Sequence, residues 1–201
     1  MLSAADAGQF PRDGLPEVAF LGRSNVGKSS LLNALAGRRG LARISSSPGC
    51  TQTVNFFRVG DEMYWADLPG YGYAKVPESV RLGWDRLASS YLVGREPLAL
   101  SVFLVDLRHE PSEGDRTLQA FLDHHGVAYL LAASKADKLG RDERGRRLRA
   151  LREGIGRRAQ DVLATSAQSG DGIAELRRAI RERVLAFRRP KTPPKPGPTR
   201  P

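Results

Sequence analysis

Disulfide frameworks, membrane-spanning helices and multi-cysteine metal centres are excluded by what this 201-residue sequence lacks. Its single cysteine, Cys50, has no partner within the chain, which also suits a reducing compartment. No apolar run approaches the ~20 residues that a membrane span needs. The first fourteen residues carry Asp6 and Asp13 and no apolar segment, so they read neither as a secretory signal nor as a transit peptide. A cytoplasmic protein without membrane association is expected.

Acidic residues are the scarcer charge: 22 against 32 basic ones, a net charge of +10 and a pI near 10.3. Such a balance favours a polyanionic partner, nucleic acid being the obvious candidate and a solvated basic surface the alternative. Hydrophobic residues make up 40%, enough at this length for one domain with a real core.

Residues 22 to 29 read Gly22-Arg23-Ser24-Asn25-Val26-Gly27-Lys28-Ser29, a G-x-x-x-x-G-K-S pattern. It lies between a strand-like run, 17–21, and a helix-like run from Ser30 to Ala36. Loop N–H groups and the positive end of the helix then converge on one anionic ligand. Lys28 can reach β and γ phosphates, and the Ser29 hydroxyl can join a Mg²⁺ that bridges them. A Gly-rich turn with no ligand is the bland alternative.

Further strand-like runs fall at 54–59, 62–67, 98–105, 127–133 and 161–165, with helical stretches between them from the third run onward. Only Gly60-Asp61 separates the second and third, a hairpin signal, whereas the rest are joined by helices and should be parallel. The pattern predicts a three-layer α/β fold: a six-stranded, mostly parallel sheet with one antiparallel edge strand and helices on both faces. Ligands in such sheets sit at the carboxyl ends of the strands. Ile173, Leu176, Ile180, Val184 and Phe187 recur at helical spacing and predict a final amphipathic helix. The expected organisation is an N-terminal extension (1–15), one nucleotide-binding domain (16–188) and an extended basic Pro-rich tail (189–201).

Asp67-Leu68-Pro69-Gly70 follows the third strand, where a carboxylate can hold a Mg²⁺-bound water and a glycine N–H can touch the γ-phosphate. Between the two motifs, Gly49-Cys50-Thr51-Gln52-Thr53 belongs to a polar loop in which Thr51 could complete the metal shell when a γ-phosphate is present. An ordinary flexible loop is the alternative. Ser134-Lys135-Ala136-Asp137 follows the fifth strand. The Asp137 carboxylate can accept from guanine N1–H and N2–H, a donor pair adenine lacks, so GTP should win over ATP. The Lys135 stem can lie over the base, and the Ala167 N–H in Thr165-Ser166-Ala167 can donate to guanine O6.

Together these runs resemble the EngB (YihA/YsxC) family of ribosome-assembly GTPases, which are translation-factor-related P-loop proteins. The resemblance is carried by residues 16–30, 47–57 and Asp67-Leu-Pro-Gly-Tyr-Gly-Tyr-Ala-Lys75, with Trp84, Tyr91-Leu92, the run from Leu104 to His109, and Asp115. It spans about residues 10–187. Cys50 stands where the family usually has Arg or Lys, and Ser134 where it usually has Thr. The resemblance implies GTP and GDP as ligands with Mg²⁺, held by the five runs named above: Gly22 to Ser30, Gly49 to Thr53, Asp67 to Gly70, Ser134 to Asp137 and Thr165 to Ala167. Ser29 and Thr51 are the implied metal ligands, and Lys28, Thr51 and Gly70 the implied catalytic residues. It also implies the large ribosomal subunit or its precursor, with its ribosomal RNA, as partner, and a requirement in cell division and growth. A monomer is expected.

Many GTPases orient the attacking water with a glutamine after the switch glycine, but this chain has Tyr71. Hydrolysis should therefore be slow, on the order of 10⁻³ s⁻¹ or below. Asn25 matches a position that supports K⁺ in related GTPases, and a turn-forming residue is the equal alternative. Arginine outnumbers lysine 26 to 6 and crowds 141–158 and 177–191, which suits structured RNA or reflects a GC-rich genome. Trp84 and Tyr91 read as packing residues. The rival readings are an ATP-using P-loop enzyme, an RNA-binding scaffold with a vestigial nucleotide site, and a membrane-coupled GTPase.

Overall fold

The computed structural model describes residues 1–42, 53–71, 86–155 and 162–188. Seven strands, β1 (Leu2–Ala4), β2 (Glu17–Gly22), β3 (Val54–Val59), β4 (Met63–Asp67), β5 (Leu98–Asp106), β6 (Tyr129–Ser134) and β7 (Val162–Ala164), form one sheet in the order β1-β3-β4-β2-β5-β6-β7. Helices α1 (Lys28–Ala36), α2 (Glu113–His124), α3 (Arg141–Ile155) and α4 (Ile173–Arg188) flank it, and residues 86–92 are also helical.

The α/β architecture follows the expectation, with one correction to the sheet. Leu2–Ala4, expected to precede the domain, pairs antiparallel with β3 through Leu2↔Phe56 and Ala4↔Val54. Seven strands therefore replace six, and β3 is antiparallel to both neighbours instead of lying at the edge. An unpaired edge of N–H and C=O groups is thereby covered. The remaining pairs, β2 with β4 and β5, β5 with β6, and β6 with β7, are parallel.

Every residue of β2 and of β6 is buried, which is why these runs are apolar between the terminal Glu17 and Ser134 and do not alternate with polar residues. Alternation appears instead between the two faces. Val18 and Phe20 on β2, Val102 and Leu104 on β5, and Leu31, Leu35, Leu176 and Ile180 from the helices form one core layer. Ala19, Leu21, Phe103, Tyr91, Leu122 and Leu151 form the other. Helices α1 and α4 thus pack on one face, and α2, α3 and the helical residues 86–92 on the other. The α4 stripe is buried through Val184, while Phe187 is 45% exposed.

At the amino end of β2, Glu17 is 1% exposed and accepts from the Tyr91 hydroxyl at 2.8 Å and from Arg95 at 3.0 and 2.5 Å. Arg95 also donates to the Pro11 carbonyl at 2.6 Å and lies over the Phe10 ring. Burial first, then Glu17, pushes the Tyr91 phenol up, so it stays a donor. This buried network fastens residues 10–11 to the sheet and confirms Tyr91 as a packing residue. The carboxyl end of the sheet is left for chemistry.

Candidate functional site

Strand order reverses at β2, whose neighbours β4 and β5 continue the sheet in opposite directions, so a crevice opens at its carboxyl end. Residues 23–27 turn from β2 into α1 there. Asn25 has φ +64° and Gly27, the N-cap of α1, has φ +105°, a conformation that suits glycine. This accounts for Asn25 as a turn residue. Among the described residues no side chain caps α1, so its first N–H groups remain available to an anion. Gly22 is required by close approach: a Cβ would stand 2.9 Å from Val26 Cγ1 and 3.1 Å from the Leu104 carbonyl oxygen.

Lys28, in the first turn of α1, forms a close ion pair with Asp67 at the end of β4. Both side chains are about nine-tenths buried, at 12% and 10% exposure. Ser29 follows Lys28 on the helix. The Ser29 hydroxyl and the Asp67 carboxylate are hard oxygen donors of the kind Mg²⁺ takes when phosphates and waters supply the rest. Among the described residues no group of three or more His, Cys, Asp or Glu could hold a metal unaided. Gly70 is docked on the same loop, since a Cβ there would meet Ser24 Oγ at 3.0 Å and Ser24 N at 3.2 Å. Ser24 Oγ is itself buried with no partner among the described residues.

The expected base end is built from the loops that follow β6 and β7. Ser134 Oγ donates to the Val26 carbonyl at 2.8 Å, tying β6 to the phosphate loop. A hydroxyl is all this requires, so serine serves where threonine would. Lys135 has φ +58° and its ammonium donates to the Asn25 carbonyl at 2.8 Å and to Asp106 at 3.0 Å. Asp137 Oδ1 accepts from the Ser166 hydroxyl at 2.7 Å, and Oδ2 lies 3.3 Å from Lys138 Nζ. The Ser166 hydrogen bond, with a smaller contribution from Lys138, holds the Asp137 carboxyl below its ordinary range. Ala136 N–H donates to the Thr165 carbonyl at 3.1 Å, which keeps the two base loops in register. A cleft of about 740 Å³ runs from Val26, Gly27 and Ser30 to Lys135, Asp137, Thr165 and Ala167.

The structure thus gathers residues 22–30, 67–70, 134–137 and 165–167 at one end of the sheet. Thr53 precedes β3, its hydroxyl 3.4 Å from Asn55 Oδ1, and Asn55 is paired with Asp67. Gly49, Cys50, Thr51 and Gln52, like Gly72–Lys75, Trp84 and the tail, lie outside the described residues. Asp106 is a participant that sequence reasoning did not single out. Although partial burial acts to raise it, hydrogen bonds from Arg108 and Lys135 hold its carboxyl well below the usual carboxylate range.

Fold and site together define the class, a P-loop GTPase. A family model described as 50S ribosome-binding GTPase matches residues 17–135. The probable GTP-binding protein EngB of Solibacter usitatus is 49% identical over 181 residues, 90% of this chain and 92% of that protein. Its counterpart in Bacillus subtilis (strain 168) is 41% identical over 185 residues, 92% of this chain and 95% of that one. The chain belongs to the EngB family of GTP-binding proteins. The crystal structure of a probable GTP-binding protein EngB matches with a TM-score of 0.69 at 21% identity, covering 85% of this chain and 99% of the other, and supports the fold.

Proposed function

We propose that this GTPase hydrolyses GTP slowly in a Mg²⁺-dependent site and works as a nucleotide-gated switch in assembly of the large ribosomal subunit. The observation that carries the reading is the gathering, at the carboxyl end of the sheet, of Lys28 paired with Asp67 and Gly70 docked on Ser24, beside a cleft lined by Gly27, Lys135, Asp137 and Ala167 in which Ser166 orients Asp137. The ribosomal part is supported by the matching family description, which names the 50S subunit. It is supported too by arginines on α3 (Arg141, Arg146, Arg149) and α4 (Arg177, Arg178, Arg181), all exposed and suited to RNA phosphates.

GTP would enter with its guanine between Lys135 and Ala167 and its N1–H and N2–H on Asp137. Its phosphates would lie on the N–H groups of residues 25–30, with Lys28 moving from Asp67 to the β and γ phosphates. Bound Mg²⁺, held by Ser29 and Thr51 and through water by Asp67, would neutralise the phosphate charge. Water attacks the γ-phosphorus in line, the bond to the β-phosphate oxygen breaks, and Lys28 and the Gly70 N–H stabilise the charge that develops. No described side chain is placed as a general base, and Tyr71 is turned onto Asp115. Slow turnover follows, and loss of the γ-phosphate would release the loops around Thr51 and Gly70. K⁺ beside Asn25 is a further element of this reading. A role in cell division would follow from the supply of ribosomes.

Single-turnover hydrolysis of GTP, with and without large ribosomal subunits and with K⁺ exchanged for Na⁺, tests the reading. A rate near 10⁻³ s⁻¹ or below that rises on addition of subunits is expected. A rate insensitive to subunits argues against the ribosomal role, and one insensitive to the cation removes K⁺.

A further inference from the structure

Tyr71 is held at both ends. Its carbonyl accepts from the Ser24 N–H at 2.9 Å, and a parallel bridge joins it to Arg23. Its hydroxyl donates to Asp115 Oδ1 at 2.5 Å. Asp115 is 7% exposed, and its second oxygen accepts from Ser112 N at 2.7 Å and Ser112 Oγ at 2.6 Å. One carboxylate therefore closes the capping box of α2 and anchors the residue that follows Gly70. The Tyr71 ring rests on the first turn of the same helix: a Cβ on Gly114 would stand 3.2 Å from two ring carbons. Burial first, then the bond to Asp115, pushes the Tyr71 phenol far up, so it remains a donor at every working pH.

We propose that Tyr71 and Asp115 form a latch that holds Gly70 against the phosphate loop, making Asp115 a positioning residue for the γ-phosphate contact. The inference rests on the reading of Gly70 as a γ-phosphate donor. Hydrogen bonds to a charged acceptor are roughly twice as strong as neutral ones, and the capped first turn of α2 gives the latch a rigid base. Tyr71 replaces the water-orienting side chain with a structural one. A diphosphate does not use Gly70, so the latch should bear on GTP and not on GDP.

The full-length chain and its Tyr71→Phe and Gly114→Ala variants are compared for the Kd of a non-hydrolysable GTP analogue and of GDP, both with Mg²⁺. Tyr71→Phe removes only the hydroxyl and leaves the capping box intact. Gly114→Ala raises the helix propensity of α2 while pressing the ring away, so a fall in latch strength would accompany a stable fold. In both variants the analogue affinity should fall about 5- to 30-fold, within the usual range of coupling between sites, with GDP affinity unchanged within about twofold. Analogue and GDP affinities that stay the same, or that fall together, would overturn the latch. If wild-type protein fails to bind the analogue at all, the reading of the site falls and the latch with it. If wild type binds both ligands and neither variant shifts their ratio, the latch alone falls.

Discussion

Replacing Asp137 by Asn tests the base end of the cleft most sharply. The carboxylate is oriented by the Ser166 hydroxyl at 2.7 Å and lies below its ordinary range, so at neutral pH it presents two ionised acceptors. Guanine offers N1–H and N2–H to them, two charge-assisted bonds worth about 1.5–3 kcal/mol each. The carboxamide of the variant would keep one acceptor and turn the other into a donor facing a donor. One charged bond is lost and one base donor is left unpaired, about 1–3 kcal/mol more. The sum, about 2.5–6 kcal/mol, predicts GTP binding weaker by roughly 10²- to 10⁴-fold. Xanthine carries a carbonyl where guanine carries its amino group, so xanthosine triphosphate should recover most of the loss. Displacement of a fluorescent GDP analogue by GTP, xanthosine triphosphate and ATP reads all three affinities. A GTP loss under about tenfold, or no gain for xanthosine triphosphate, would refute the assignment.

Other outcomes follow from the same contacts. Arg95→Met strands the Glu17 carboxylate, 1% exposed, with Tyr91 as its one remaining side-chain partner among the described residues, and should cost about 3–5 kcal/mol in urea unfolding. The double variant Glu17→Leu, Arg95→Met should recover much of that, and a single-variant cost below about 1 kcal/mol would contradict the buried network. Gly22→Ala places a Cβ 2.9 Å from Val26 Cγ1, so it should cost about 1–3 kcal/mol and weaken GDP binding together, as thermal unfolding and titration would show. Asp106 is depressed by Arg108 and Lys135. Its contribution is fully present above the ordinary carboxylate value of ~3.9 and is lost only as pH falls below that toward the folded value. Unfolding followed from pH ~6 to ~2 should therefore show a shallower acid limb in Asp106→Asn.

The runs proposed to hold phosphate and base could be placed from the sequence because each is short and stands at an element end: Gly27-Lys28-Ser29 at a helix start, Asp67 to Gly70 at a strand end, Ser134 to Asp137 beside Thr165. The central strands were legible because buried parallel strands read as near-continuous apolar runs. What escaped was contact between residues far apart in the chain and without a spacing rule. Tyr71 meets Asp115 across 44 positions, Lys135 meets Asp106 across 29, and Arg95 meets Glu17 across 78. β1 escaped for a related reason. Three residues with one buried side chain carry no periodicity, and only the open edge of β3 makes them a strand. The spacing of the last helix placed Phe187 on the apolar stripe, yet the packed part ends at Val184.

Co-sedimentation with purified large ribosomal subunits, in a non-hydrolysable GTP analogue, in GDP or without nucleotide, at low and moderate salt, tests the central claim most directly. Binding selective for the GTP analogue that survives moderate salt is expected. Binding that ignores the nucleotide and vanishes as salt rises would contradict it, and would reduce the arginine surfaces of α3 and α4 to non-specific attraction for RNA.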